Sequence, residues 1–150
     1  LADRIHRLSQ RLIRAHDLQG TIDAVETSLR EDFDAMHSVL VLFLEQARPL
    51  ESIAGRFLCC ADAGDADIKS FESLLTSGKP RCGQVRDAQR DYLFGKDSVE
   101  IGSVALTPLG PKGELGILAI GASDAERFHP AMSTEFLSRI GELVTYALLR

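Results

Sequence analysis

The chain has no tryptophan, only three cysteines among its 150 residues, and an aromatic share of 6%. The cysteines are odd in number and two are neighbours, Cys59 and Cys60, which does not suit a disulfide framework. Free thiols are typical of reducing compartments, so we expect a cytoplasmic protein. A chain of this length can bury about 68–70% of its unfolded surface, and its core therefore needs no covalent or metal staple.

Long apolar runs and an excess of positive charge are also missing. No apolar segment approaches the roughly 20 residues that a membrane-spanning helix needs, so we expect no membrane insertion. The net charge of −5 disfavours direct binding of nucleic acid, because such binding needs a basic face. The N-terminal residues alternate charged and apolar types, unlike a signal peptide. The chain starts without methionine inside a helical pattern, so we expect it to be part of a longer protein.

The patterns of common metal and catalytic sites are absent from the sequence. The four histidines are scattered, without the spacing to other ligands that a zinc or iron site requires. The acidic segment 61–67 lacks the terminal bidentate glutamate of a calcium loop and predicts a solvated loop. No Ser-His-Asp order, phosphate-binding loop or pair of carboxylates stands out. We therefore expect no metal site and no enzymatic activity, and the sequence names no cofactor.

A β-hairpin over residues 99–122 is the clearest local pattern. Apolar and β-branched residues predict a first strand over 99–106, which Pro108 is expected to end because it has no amide proton. The Gly- and Pro-containing segment 110–113 has turn chemistry. The nearly unbroken apolar run 115–120 predicts a central strand covered on both faces. Two glycines in or beside that run predict a bulge or a close approach of other backbone: Gly116 and Gly121.

The first 16 residues carry an apolar seam at heptad-like spacing from Leu1 to Leu12, with arginines on the other faces. Two interpretations are open for this helix. It packs on the domain's own sheet, or it is the end of a coiled coil that joins two chains. The second interpretation motivates a predicted homodimer through the terminal helices. The predicted organisation is an N-terminal linker and signalling helix over 1–16, followed by one domain over 17–150.

Residues 17–57 predict a helix and then a second hairpin. Asp17 or Thr21 can cap the helix. The apolar run 38–44 predicts a buried strand, 46–50 a turn, and 51–57 a return strand, for which a helix is the main competitor.

The middle and the end of the chain predict mainly helices. One helix is expected to end at Gly78, an extended segment covers 79–85, Asp87 can cap a brief helix, and a long C-terminal helix starts near Pro130. This order predicts an α+β domain with a central antiparallel sheet. The N- and C-terminal helices would cover one face, and the variable helical middle would cover a pocket on the other.

Four short segments, read in order, make the chain resemble a known family: Pro80-Arg81-Cys82-Gly83, Leu93-Phe94-Gly95, Ile101-Gly102-Ser103 and Phe128-His129-Pro130 with Phe136-Leu137. Over roughly 17–149 the chain resembles GAF-type sensory domains. More narrowly, it is similar to a bacterial family of uncharacterised proteins called domain of unknown function 484. The resemblance implies a GAF-like fold preceded by a helical region, and no established activity.

Two better-understood GAF branches do not match the sequence. The chain has no Asn-Lys-Phe-Asp-Glu signature of the cyclic-nucleotide branch and no Cys-His pair for covalent attachment of a bilin. We therefore expect neither a cyclic nucleotide nor a bilin as ligand.

Seven residues are the candidate ligand-binding set. Arg81 offers a fork of donors that suits an anionic group, or it pairs with a surface carboxylate. Cys82 would line the pocket with Gln84, although a thiol also fits a small core position. Ser103 and Arg56 would add polar contacts. Tyr92 and Phe94 would form an aromatic wall of the pocket, or they belong to the core.

Three functions remain open from the sequence. The first is a non-catalytic sensory or regulatory domain that binds an unidentified small molecule or protein partner and signals through its N-terminal helix. The second is a ligand-free dimerisation or adaptor module. The third and least favoured is a thiol-dependent reductase of the methionine-sulfoxide type, because Cys59 and Cys60 follow an apolar pair and are better explained by packing.

Overall fold

The structure is a computed structural model that describes residues 2–150. Leu1, the first position of the predicted apolar seam, lies outside the described residues. The helices in chain order are α1 (Ala2–Arg14), α2 (Leu18–Glu31), α3 (Glu51–Ala54), α4 (Ala66–Lys69), α5 (Glu72–Ser77), α6 (Asp87–Phe94) and α7 (Glu135–Leu149). Three short 3-10 helices accompany them: Glu45–Leu50, Gly55–Phe57 and Gly95–Glu100.

Five strands form one sheet: β1 (His37–Leu42), β2 (Leu58–Cys60), β3 (Arg81–Gly83), β4 (Ser103–Leu109) and β5 (Gly116–Ala122). Their order across the sheet is β2-β1-β5-β4-β3. The long central strand β5 is covered on both faces and nearly all of its residues are buried, as its apolar run predicts. The α+β class is confirmed.

The predicted hairpin is confirmed as β4 and β5, which pair antiparallel, with two differences at the first strand. Val99 lies in a 3-10 helix and is 86% exposed, so the strand begins only at Ser103. Pro108 does not end the strand but pairs with Ile117 inside it. β3 begins at Arg81, opposite Leu106, so β4 has no partner strand on that side at Pro108. The missing amide proton therefore removes no hydrogen bond between strands there.

The predicted second hairpin is wrong. Residues 51–57 are helical, as the competing interpretation had it, and the next strand β2 lies parallel to β1, with Leu40 opposite Leu58. Parallel neighbours need a crossover connection, which the 3-10 helix Glu45–Leu50 and α3 provide. The sheet is therefore mixed rather than wholly antiparallel.

Helix ends follow the sequence in part. Asp17 caps α2 by accepting a hydrogen bond of 2.7 Å from the amide of Gly20, and Gly78 ends α5 in the left-handed conformation with φ 66°. Asp87 is not a cap, because α6 has Arg86 at that position. The C-terminal helix does not start near Pro130 but at Glu135.

Two apolar layers cover the sheet. On one face, β1, β4 and β5 contribute side chains such as Leu40, Ala105 and Leu118 to a cluster with α1, α2 and α7. On the other face, Val41 and Ile117 pack against side chains of α4 to α6. The terminal helices thus lie on one side and the middle of the chain on the other, as predicted. The alternation of apolar residues along each strand produces both layers.

The apolar seam of α1 is used inside the chain. Leu8 and Leu12 are 1% and 4% exposed and belong to the cluster with α2 and α7. The guanidinium of Arg150, next to the end of α7, donates to the carbonyl oxygens of Leu12 and Ala15 at the end of α1. This packing agrees with the interpretation of α1 as a helix of the domain itself. The division of the chain at residue 16 and the homodimer stay predictions.

Candidate functional site

A cleft of about 740 Å³ opens at the start of β1, within the range of about 300–1,000 Å³ that is typical of ligand pockets. We call it the β1 cleft. Residues of α2 form one wall, and α3 with the 3-10 helix Gly55–Phe57 forms the second. The third wall is the end of α6 with the start of the 3-10 helix that follows it. Its floor is the first half of β1, from His37 to Val39.

The short strand β2 explains why this space is open. β1 pairs with β5 along its whole length, but with β2 only from Leu40 onward. Leu42 accepts a hydrogen bond from the Ala61 amide on the β2 side. Alternate residues of a strand turn their backbone groups to the same side, so Ser38 shares the orientation of Leu42. The N–H and C=O of Ser38 therefore face the open edge of the sheet, at the cleft.

Two polar side chains meet at the cleft. The thiol of Cys59 and the hydroxyl of Tyr92 are 3.6 Å apart, and both residues are partly buried. Burial, and then the contact with Cys59, raises the pKa of Tyr92 well above its usual value. The phenol therefore stays protonated near neutral pH and can donate or accept a hydrogen bond at the cleft.

Charged side chains form the rim, and most of them are paired. Arg56 and Asp97 face each other across 3.3 Å, and Arg30 contacts Glu26 of its own helix at 3.0 Å. Asp23 lies one turn before Glu26, is exposed, and has no ion pair within residues 2–150. Both guanidinium groups are thus compensated, and one carboxylate is left over.

Apolar side chains give the cleft its body. Ile22, Phe57 and Leu93 are buried at its walls. Two large apolar residues of the cleft are unusually open to solvent, with Met36 at 83% and Ile53 at 63% exposure. Exposed apolar residues beside polar ones are a feature of ligand or partner sites.

The structure divides the predicted ligand-binding residues among three places. Arg56, Tyr92 and Phe94 line the β1 cleft, although Phe94 is only 5% exposed and serves mainly as core. A separate groove of about 310 Å³ beside β3 has three others: Arg81, Cys82 and Gln84. Ser103 lies in neither.

In the groove beside β3, Arg81 is already engaged. Its guanidinium donates to the hydroxyl of Ser73 at 2.7 Å and to the backbone oxygen of Ser73 at 3.1 Å, so it ties β3 to α5. Cys82 is the neighbour of Ala105 across the ladder and packs toward the terminal helices. Burial raises the pKa of its thiol. The packing of Cys82 agrees with its interpretation as a small core position, whereas Arg81 contacts a serine and not the surface carboxylate of its alternative interpretation.

Ser103 holds a loop in place. It is 1% exposed, donates to the carbonyl oxygen of Asp124 at 2.7 Å and accepts from the amide of Phe128 at 3.2 Å. The preceding Gly102 has no room for a side chain, because a Cβ atom there would collide with the backbone of Ser123.

Three of the four segments that carry the family resemblance meet at this loop. A Cβ atom on Gly83 would lie 3.0 Å from the ring of Pro130, so β3 also packs against the same loop. We call the set Gly83, Gly102, Ser103, Phe128 and Pro130 the motif joint. Its contacts are structural, and none of its residues lines the β1 cleft.

Several residues of the cleft were missed from the sequence. The stripe Asp23, Glu26 and Arg30 reads as an ordinary solvated helix face, and His37 and Ser38 as the start of a strand. The cleft is revealed by the difference in length between two neighbouring strands, because β1 has six residues and β2 only three, which leaves part of β1 without a partner on that side. The sequence patterns did not show that difference, because they predicted the neighbouring strand over 51–57, which is helical, and the strand lies at Leu58–Cys60.

Within residues 2–150, no group of three or more His, Cys, Asp or Glu side chains is placed to hold a metal ion. The helices of the same range include none long and apolar enough to cross a membrane. The three cysteines are free thiols.

Comparison with known proteins gives one family. A search of curated proteins finds no match. The family model described as "Protein of unknown function, DUF484" matches residues 1–150, which confirms the narrower resemblance drawn from the sequence. The chain belongs to the DUF484 family.

Proposed function

We propose that this chain is a non-catalytic, GAF-like regulatory domain of the cytosol that binds a small organic molecule in the β1 cleft. The observation that carries the proposal is the cleft itself. It combines a volume of about 740 Å³, buried apolar side chains in its walls, a charged rim, and polar groups that converge on an unpaired strand edge. Apolar contacts together with convergent polar groups in a concavity of this size are typical of small-molecule sites.

The contacts of α2 connect the cleft to the N-terminal helix. One side of α2 lines the cleft with Ile22, Asp23 and Glu26. Other residues of α2 pack in the same apolar cluster as Leu8 and Leu12 of α1. A ligand that contacts α2 more favourably in one arrangement than in another therefore biases the position of α1. This route agrees with signalling through the N-terminal helix.

Two of the three thiols support a non-catalytic role. Burial and the neighbouring Glu51 carboxylate raise the pKa of Cys60 to about 11, and burial raises that of Cys82. A catalytic cysteine needs the opposite shift, because the thiolate is the nucleophile. The reductase alternative thus has the weakest support.

A ligand-free adaptor is the second candidate. Between the sheet and the middle helices, where the order of elements predicts a pocket, Ile68, Phe71 and Leu74 fill the space and are each at most 3% exposed. The seam of α1 is internal, so a homodimer through the terminal helices would have to use their exposed apolar residues: Ile13, Tyr146 and Leu149. Sedimentation at micromolar concentration tests that dimer.

Native mass spectrometry of protein purified from its own host tests the ligand. We expect a retained molecule on the wild-type chain and its loss in Ala54→Trp, because Ala54 lines the cleft and is only partly buried. Ala63→Trp is the matched control, since Ala63 is exposed and outside the cleft. A molecule retained equally by both variants contradicts this site, and protein that carries nothing in any form favours the adaptor.

A further inference from the structure

We propose that the β1 cleft selects a small organic amine, a cation with an apolar body, over anionic ligands. This inference rests on the proposed function and names the chemical class that the cleft would take.

The charges of the cleft favour a cation. Its two arginines already serve carboxylates, with Arg30 near Glu31 at 3.9 Å in addition to Glu26 at 3.0 Å. Asp23 stands on the same wall, three residues before Glu26, and neighbours at this spacing lie on one helix face. An incoming ammonium group gains an unpaired carboxylate, whereas an incoming phosphate or carboxylate meets guanidinium groups that would first have to leave their partners.

The neighbouring surface extends the same charge. A second recess of about 550 Å³ shares Ala35, Met36 and His37 with the cleft. Its charged lining is three carboxylates, Asp34, Glu100 and Asp124, against the single Arg127. The guanidinium of Arg127 donates to the carbonyl oxygen of Phe33 at 3.0 Å. A cation therefore approaches the cleft across an acidic surface, which raises its local concentration.

The rest of the cleft suits the body of an amine. Buried Phe57 and Leu93 offer apolar contact. An apolar ligand body that covers the exposed Met36 and Ile53 removes apolar surface from water, which stabilises the complex. The unpaired backbone groups of Ser38 and the protonated phenol of Tyr92 can orient a neutral polar substituent. The ion pair between Arg56 and Asp97 closes the opposite side at 3.3 Å.

Two probes with the same aromatic body test the charge preference. Tryptamine and indole-3-propionate are titrated into the wild-type chain at low salt, and binding is followed by amide chemical shifts in NMR. Attraction for one probe and repulsion of the other, each the size of one exposed charge pair, predict a preference of about tenfold for tryptamine. We expect this preference to shrink at high salt, and the shifts to include the amides of Ser38 and Cys59.

Two charge-matched variants locate the effect. Asp23→Asn is expected to weaken tryptamine binding about threefold, the cost of one exposed ion pair. Glu142→Gln makes the same change of net charge at an exposed position of α7, outside the cleft, and should leave binding unchanged. Equal effects of the two variants would overturn the proposal, as would shifts that map elsewhere.

The remaining outcomes separate this inference from the proposed function. Equal or tighter binding of indole-3-propionate overturns the amine preference. If Ala54→Trp abolishes that binding, the β1 cleft is still a small-molecule site. Binding of neither probe also overturns the amine inference, while the search for a retained host molecule decides the proposed function independently.

Discussion

Replacing Ser103 with alanine is the sharpest test of how the family segments are used. The sequence placed Ser103 in a ligand site, whereas the structure gives its hydroxyl two backbone partners, the carbonyl of Asp124 at 2.7 Å and the amide of Phe128 at 3.2 Å. Ser103→Ala removes both hydrogen bonds at a position that is 1% exposed. The Asp124 carbonyl oxygen keeps the Arg127 amide at 3.3 Å as a second partner. Among the described residues the Phe128 amide has only the Ser103 hydroxyl, so the cost includes the desolvation of a buried amide.

The magnitude follows from these partners. A buried donor left unsatisfied costs about 1–3 kcal/mol, and the partly buried carbonyl adds the smaller value of an ordinary hydrogen bond, about 0.5–1.5 kcal/mol. We expect a loss of about 2–4 kcal/mol in the free energy of unfolding. At about 2–4 °C per kcal/mol for a chain of this size, the melting temperature should fall by about 4–16 °C.

Urea and thermal unfolding of both Ser103→Ala and Ser123→Ala provide the measurement. Ser123 is exposed in the same loop, and its substitution should change stability by less than about 0.5 kcal/mol. If the two variants are equally stable, the hydrogen bonds of Ser103 do not hold the loop. If Ser103→Ala instead loses a bound molecule at full stability, the residue belongs to a ligand site and our structural account is refuted.

Three further predictions test other parts of the structure. Leu8→Ala should lower the free energy of unfolding in urea by about 2–5 kcal/mol, because the Leu8 side chain is buried. Ile13→Ala on the same helix should lower it little, because Ile13 is 71% exposed. Equal losses would contradict the packing of α1 within the chain. Gly102→Ala should destabilise the chain by about 1–3 kcal/mol through its collision with the Ser123 backbone, while Gly64→Ala, which meets nothing, serves as control. Alkylation of Cys60 by iodoacetamide, followed by peptide mass spectrometry, should be slow at neutral pH and keep rising toward pH 11, because burial raises its pKa to about 11 from 9.0; a plateau near pH 9 would show that the thiol is not buried as described.

Elements whose patterns are local were predictable. The run 115–120 has no polar residue and forms most of the central strand β5. Asp17 begins α2 and Gly78 ends α5, as the capping chemistry of the two residues predicts. The two faces of the sheet also followed from alternation along the strands. These features depend on neighbours in sequence, which is why one chain is enough to infer them.

The partners of each strand were not predictable in the same way. Residues 51–57 are apolar enough for a strand, but β2 is a three-residue strand that starts at Leu58 and pairs parallel to β1. That choice is made by tertiary packing, which overrides local propensity. The grouping of the predicted site residues was not predictable for the same reason, since Arg81 and Tyr92 belong to neighbouring segments but line different recesses.

The motif joint has a consequence for how relatives of this chain should be compared. Its residues brace a loop at one corner of the sheet, and the β1 cleft is built from other positions. Two proteins that both preserve the bracing corner are therefore expected to share architecture while remaining free to recognise unrelated compounds. Grouping them by what they recognise would require the side chains at the positions of Asp23, Ser38 and Arg56.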